Sequence, residues 1–144
     1  MTLKQYHLAR KREAATLILN AYQNKEFFSG LTQVFNLEEG MSKASIDLVF
    51  KDKLELLYLV MSTWESIGIL MYNREITIDM IDKSHSGPLL QSWLKLEGYI
   101  KELRNEMDRH TMFEWFEWLV DRMKDREALQ GRIPAYIAFK DWKQ

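Results

Sequence analysis

The chain has 144 residues, 47% of them apolar, and a formal net charge of -1 at pH 7. This length predicts one domain with a sizeable core, and the balanced charge gives no overall attraction to nucleic acid or acidic membranes. The absence of cysteine excludes disulfides, thiolate metal sites and cysteine nucleophiles. Together with a polar amino terminus, which predicts no export signal, it favours a cytoplasmic protein.

Composition also predicts the fold class. Seven Phe, six Tyr, five Trp and eight Met stand against only six Gly and two Pro, and a shortage of Gly and Pro is typical of long helices with few turns. We therefore expect an all-α, single-domain helical bundle over residues 1–144.

A first helix is predicted over residues 3–24, beginning with a capping box between Thr2 and Gln5. Its first part, residues 1–12, carries a basic patch without an acid. This patch is either a surface for phosphate or an acidic partner, or a solvated arm, and the balanced overall charge favours the arm. The patch comprises Lys4, Arg10, Lys11 and Arg12.

The longest pattern begins at Ser42, after a short helix or two turns expected between residues 25 and 41. Apolar residues then recur at alternating three- and four-residue steps as far as Tyr72, which predicts a long central helix over 42–72. Only Lys53 interrupts the row. Glu55 and Glu65 lie beside this row in the most hydrophobic window, residues 54–72, so we expect a core helix rather than a membrane span. The row comprises Ile46, Phe50, Leu57, Val60, Trp64, Ile67 and Met71.

Three further helices and a packed tail are expected after the central helix. A short helix over 77–83 and a loop over 84–87 lead to Pro88, which is favoured as a first helical residue. A helix over 88–107 then carries a seam that suits antiparallel packing on the central helix. A helix over 111–128 begins with a capping box between Thr111 and Glu114, and residues 134–144 are expected to pack on the bundle.

These segments resemble a known family in their order. The motifs are WESIGILM at 64–71, ITIDMID at 76–82, LLQSWLKLEGYIKELR at 89–104, MFEWFEWLVDRM at 112–123 and PAYIAFKDW at 134–142. Over roughly residues 55–142 they are similar to the bacterial family of small helical proteins known as domain of unknown function 4760. The resemblance implies a helical fold and no particular activity.

Catalytic and metal sites have weak support. His110, Glu114 and Glu117 share one helix face, but no Glu-x-x-His motif accompanies them, so we favour solvated or locally paired side chains and expect no metal or cofactor. Glu65 interrupts an apolar row. It is either an acid–base group with a raised pKa or a structural carboxylate that meets Arg74 or Arg104, accepts hydrogen bonds or reaches the surface.

Ser84 and Ser86 flank His85, yet no strand–turn–helix elbow and no suitably spaced acid accompanies them. A turn before Pro88 is therefore favoured over a nucleophile, and we assign no catalytic residue.

The aromatic carboxyl-terminal third suggests an interaction surface, because Trp, Tyr and Arg are common where proteins meet. We expect a protein-interaction or regulatory module, non-catalytic rather than an enzyme, whose simplest partner is a second copy. One alternative is nucleic-acid binding through the basic patch, and another is a metal-dependent helical-bundle enzyme. The expected surface comprises Trp115, Trp118, Arg122, Tyr136, Phe139 and Trp142.

Overall fold

The described part of the chain, residues 1–131 and 133–144 of a computed structural model, contains helices and no strand. The predicted all-α class is confirmed. The helices are α1 (Leu3–Leu19), α2 (Lys25–Phe35), α3 (Lys43–Phe50), α4 (Leu54–Tyr72), α5 (Ile78–Glu106), α6 (Glu114–Gln130) and α7 (Ala135–Ala138).

α1 begins as predicted, with the capping box between Thr2 and Gln5 formed in both directions. It ends at Leu19 rather than near residue 24, and a 3₁₀ turn over Ala21–Gln23 leads to α2. Only Ala14 and Ile18 of α1 are buried, and the side chains of its first three turns are exposed.

The predicted central helix is present in extent but is divided into α3 and α4. A 3₁₀ turn over Lys51–Lys53 separates them, and Lys51 has a φ of 47°. The interruption contains Lys53, the one position of the row that offers no apolar side chain to the core. Since Lys51–Lys53 are all exposed, burial provides no stabilisation for a regular helix there.

The predicted break before Pro88 is wrong, because α5 runs without interruption from Ile78 to Glu106. The apolar row of the following segment continues backwards across it, and Ile81, His85 and Leu89 are all buried on one face. Their burial offsets the roughly 3 kcal/mol that an interior proline costs a helix.

α4 packs most closely against α6 and α2, whereas α5 lies against α6, α2 and α3. α5 therefore meets the predicted central helix directly at α3, whereas the expected seam with α4 is mostly replaced by contacts through α2 and α6. Trp64 at the centre is fully buried and meets Phe27, His85 and Phe116 at ring-centroid distances of 5.7, 5.9 and 6.4 Å.

The stretch Lys43–Tyr72 also contains an 18-residue window with a mean hydropathy of 1.3, which by length and composition alone could cross a membrane, a property that core helices share. In the structure, Leu57, Val60 and Trp64 of this stretch are inaccessible to solvent.

Candidate interaction surface

Three aromatic rings form a cluster on the outside of α4 and α6. Tyr72 lies with its centroid 4.6 Å from that of Trp115 and 5.9 Å from that of Trp118, and the two indoles are 5.5 Å apart. The Arg122 guanidinium lies 5.9 Å from the Trp118 ring centroid, as the four-residue spacing predicts. We call Tyr72, Trp115, Trp118 and Arg122 the aromatic surface.

The two tryptophans are half-buried, whereas Tyr72 is 57% exposed. Sequence reasoning missed Tyr72, because it was assigned only as the end of the central helix. Its position in the last turn of α4, beyond the buried row, could have indicated an exposed aromatic residue.

A close helix contact fixes this surface. Gly68 of α4 is buried, and a Cβ atom added there would lie 2.3 Å from the Trp115 carbonyl oxygen. Only glycine allows the first turn of α6 to approach α4 so closely. The Trp115 and Trp118 rings are therefore held in place by the backbone beneath them.

Glu65 supplies a cap to α6 from the neighbouring helix. Phe113, the residue before α6, has a φ of 54° and provides no side-chain cap, so the predicted capping box of Thr111 with Glu114 is wrong. The Phe116 amide instead donates to Glu65 Oε2 at 2.7 Å. Burial raises the pKa of the Glu65 carboxyl, although amide donation from Phe116 and Trp115 opposes the shift.

Of the alternatives for Glu65, the structure selects hydrogen-bond acceptance, since neither Arg74 nor Arg104 forms an ion pair with it. Arg104 instead forms hydrogen bonds with the turn before α6 and with the first turn of α6. Its guanidinium donates to the Met112 carbonyl at 2.9 Å and to Glu117 Oε1 at 3.0 Å.

The metal candidates are not brought together. Glu117 is paired with Arg104, whereas His110 and Glu114 are exposed. Within the described residues, no group of three or more His, Cys, Asp and Glu side chains could hold a metal ion.

All four residues of the basic patch are exposed on α1, and the fold divides the patch. Arg10 forms an ion pair with Glu75 at 2.7 Å. Lys11 instead lines a cavity of about 540 Å³ between α1, the α4–α5 turn and α6, together with Arg74 and Arg122. The basic patch and the aromatic surface, predicted as separate sites, thus meet at this cavity.

The predicted packing of residues 134–144 on the bundle is wrong, and Tyr136, Phe139 and Trp142 do not join Trp115 and Trp118. Large apolar side chains of residues 133–144 are exposed: Ile133 by 68%, Tyr136 by 78%, Ile137 by 51%, Phe139 by 62% and Trp142 by 70%. The reason is that the apolar faces of α4, α5 and α6 already cover one another. The four-residue α7 is too short to present a continuous apolar face that could pack on them.

His85 lies in the core rather than in a loop. Its Nδ1 atom is 2.6 Å from the Ser84 hydroxyl, which itself donates to the Met80 carbonyl. Its ring stacks on Tyr22 with centroids 4.4 Å apart, and burial lowers the pKa of His85 to about 4. A side chain that is 1% exposed cannot reach a substrate in solvent, so the geometry disfavours a Ser–His nucleophile here.

In a comparison with family models, residues 1–123 match a domain of unknown function, DUF4760. The chain belongs to the DUF4760 family. No curated protein matches the chain, and no solved structure matches it either.

The DUF4760 match covers different residues from the predicted resemblance. It begins at residue 1, so it includes α1 and the basic patch, and it ends at 123. All four residues of the aromatic surface therefore lie within DUF4760, whereas the exposed residues 133–144 lie outside the match.

Proposed function

We propose that this chain is a non-catalytic protein-interaction module that self-associates through residues 133–144. The exposure of five large apolar side chains in this segment carries the proposal. Complete burial of one such side chain contributes about 1.5–3 kcal/mol. Because the segment gains little of this from its own bundle, a second surface would gain it on contact.

A second copy is the partner that the chain itself can provide, because a two-fold interface needs only one pair of complementary patches. The aromatic surface is suited to receive the segment. It offers half-exposed indoles at Trp115 and Trp118 and an exposed phenol at Tyr72, and Trp, Tyr and Arg dominate the energetics of interfaces. In this arrangement, the segment of each copy covers the aromatic surface of the other.

Sedimentation velocity over a concentration series tests the proposal. We expect the wild type to form a dimer and the double variant Phe139→Ser, Trp142→Ser to be a monomer. Trp118→Ala should weaken the dimer by about tenfold. The control is Leu48→Ser on α3, which removes an apolar side chain that is 68% exposed and belongs to neither patch. A strict monomer at about 100 μM would contradict self-association.

Nucleic-acid binding through Lys4, Arg10, Lys11 and Arg12 is a second candidate, favoured by the exposure of all four side chains. The ion pair between Arg10 and Glu75 reduces the charge available to phosphate. Binding that weakens with salt and disappears when all four residues become alanine would support this candidate over the first.

A further inference from the structure

We propose that the cavity between α1, the α4–α5 turn and α6 binds an acidic segment of another protein that also carries apolar side chains. This site goes beyond the self-association proposed above, and of the aromatic surface it includes Arg122 alone. The cavity has a volume of about 540 Å³, within the usual range for binding sites.

The apolar part of the cavity is provided by the end of α4 and the start of α5. Met71, Ile76 and Ile78 line it, and Ile76 is itself buried, which makes it a fixed part of the wall. An apolar side chain that entered would replace water against these residues, which is the main favourable contribution in most protein contacts.

Cations surround this apolar wall. Lys11, Arg74 and Arg122 line the cavity with one acid, Asp125, which is already paired with Arg122 at 3.0 Å. Among the described residues, the side chains of Lys11 and Arg74 form neither an ion pair nor a hydrogen bond. Two uncompensated cations beside an apolar wall are complementary to carboxylates that flank an apolar side chain.

The backbone at Arg74 gives independent support. α4 ends in a Schellman motif, in which the Glu75 amide donates to the Leu70 carbonyl and the Arg74 amide to the Met71 carbonyl, both at 3.0 Å. Arg74 has a φ of 60°, a conformation for which glycine is the usual residue. An arginine here adds strain to the turn and places a guanidinium at the cavity.

A protein segment fits this site better than the other macromolecules. The phosphates of an oligonucleotide would make no favourable contact with the apolar wall. The exposed segment of a second copy carries two cations, Lys140 and Lys143, and one acid, Asp141, so its side chains offer Lys11 and Arg74 no net negative charge. An acidic segment meets both the charge and the apolar wall.

Selection from a phage library of short random peptides on the full-length chain tests the inference. Enriched peptides should contain Asp or Glu next to large apolar residues. In fluorescence anisotropy, a labelled enriched peptide should bind about tenfold more weakly to Lys11→Glu and to Arg74→Glu, and its affinity should fall with salt. Lys53→Glu, an exposed cation in the α3–α4 turn, is the matched control and should bind like the wild type.

Arg74→Gly separates binding from folding. Glycine relieves the φ of 60°, so this variant should be at least as stable as the wild type in urea and still bind the peptide about tenfold more weakly. A peptide with its acids changed to lysine should prefer Arg74→Glu to the wild type.

Four outcomes would overturn the inference: no enrichment, enriched peptides without acids, peptide affinity unchanged by Lys11→Glu and Arg74→Glu, or preferential binding of oligothymidine that the same variants abolish. Loss of self-association in Arg74→Glu would also overturn it, by identifying a second copy as the occupant. Sedimentation of these variants keeps the two proposals distinguishable, because we expect their dimer to persist.

Discussion

At the scale of single residues, Glu65 illustrates a polar side chain whose partner lies on another helix. Its place within an apolar row shows that it needs a partner, and the structure assigns that partner as the Phe116 amide at the start of α6. The carboxylate therefore replaces the cap that α6 does not obtain from Phe113. This role explains an acid near the core without requiring acid–base chemistry.

Removing this cap should destabilise the fold. We expect Glu65→Ala to lower the free energy of unfolding in urea by about 1–2 kcal/mol. Glu65→Gln should lose less than about 0.5 kcal/mol, because an amide oxygen still accepts the hydrogen bond. Glu102→Ala, at an exposed position of α5, is the control and should have little effect. Equal losses for the alanine and glutamine variants would contradict the cap.

His85 should make stability depend on pH. Burial lowers its pKa from 6.5 to about 4, so the unfolded chain binds a proton first as the pH falls. The contribution of the neutral His85 to the free energy of unfolding is complete above about pH 6.5 and is lost toward pH 4. We expect the free energy of unfolding to fall by about 2–3 kcal/mol between about pH 7 and pH 4.5. The measurement is urea unfolding across this range.

His85→Phe provides the comparison, because it keeps a ring against Tyr22 and removes the titrating group. The variant should lose less stability on acidification than the wild type. All other titratable groups are the same in both proteins, so a difference between the two profiles of unfolding free energy against pH is due to His85. Parallel profiles would contradict a lowered pKa of His85.

At the scale of helices, the contact between α4 and α6 depends on the absence of one side chain. Gly68 allows the Trp115 backbone to pack directly on α4, which in turn orients the aromatic surface. α5 shows the opposite case, since burial along a continuous face keeps Pro88 within a helix. In both helices, packing overrides the local preference of the residue.

Two glycine substitutions test this contact as a matched pair. Gly68→Ala should lower the free energy of unfolding by about 3 kcal/mol, because its Cβ meets backbone that must shift. Gly98→Ala on α5, where an added Cβ has open space, should raise it by about 0.5–1 kcal/mol. Urea unfolding measures both changes, and a stabilising effect at Gly68 would contradict the close approach.

At the scale of the whole molecule, the core is complete without the carboxyl-terminal segment. Every buried apolar residue in the described part of the chain lies between Ala14 and Met123. A chain that ends at Gly131 should therefore change its free energy of unfolding by less than about 0.5 kcal/mol, while it loses self-association. A large loss of stability, measured below the concentration at which dimers form, would show that the segment packs on its own bundle.

The sequence by itself determined the all-α class, the capped start of α1 and the buried faces of α4, α5 and α6. These follow from hydrophobic spacing and cap chemistry, which depend on residues within a few positions of each other. Only the tertiary structure decided that Glu65 caps α6, that Lys11 shares a cavity with Arg122 and that residues 133–144 stay exposed. The physical reason is that such contacts join residues far apart in sequence, so they depend on how the helices pack rather than on any local pattern.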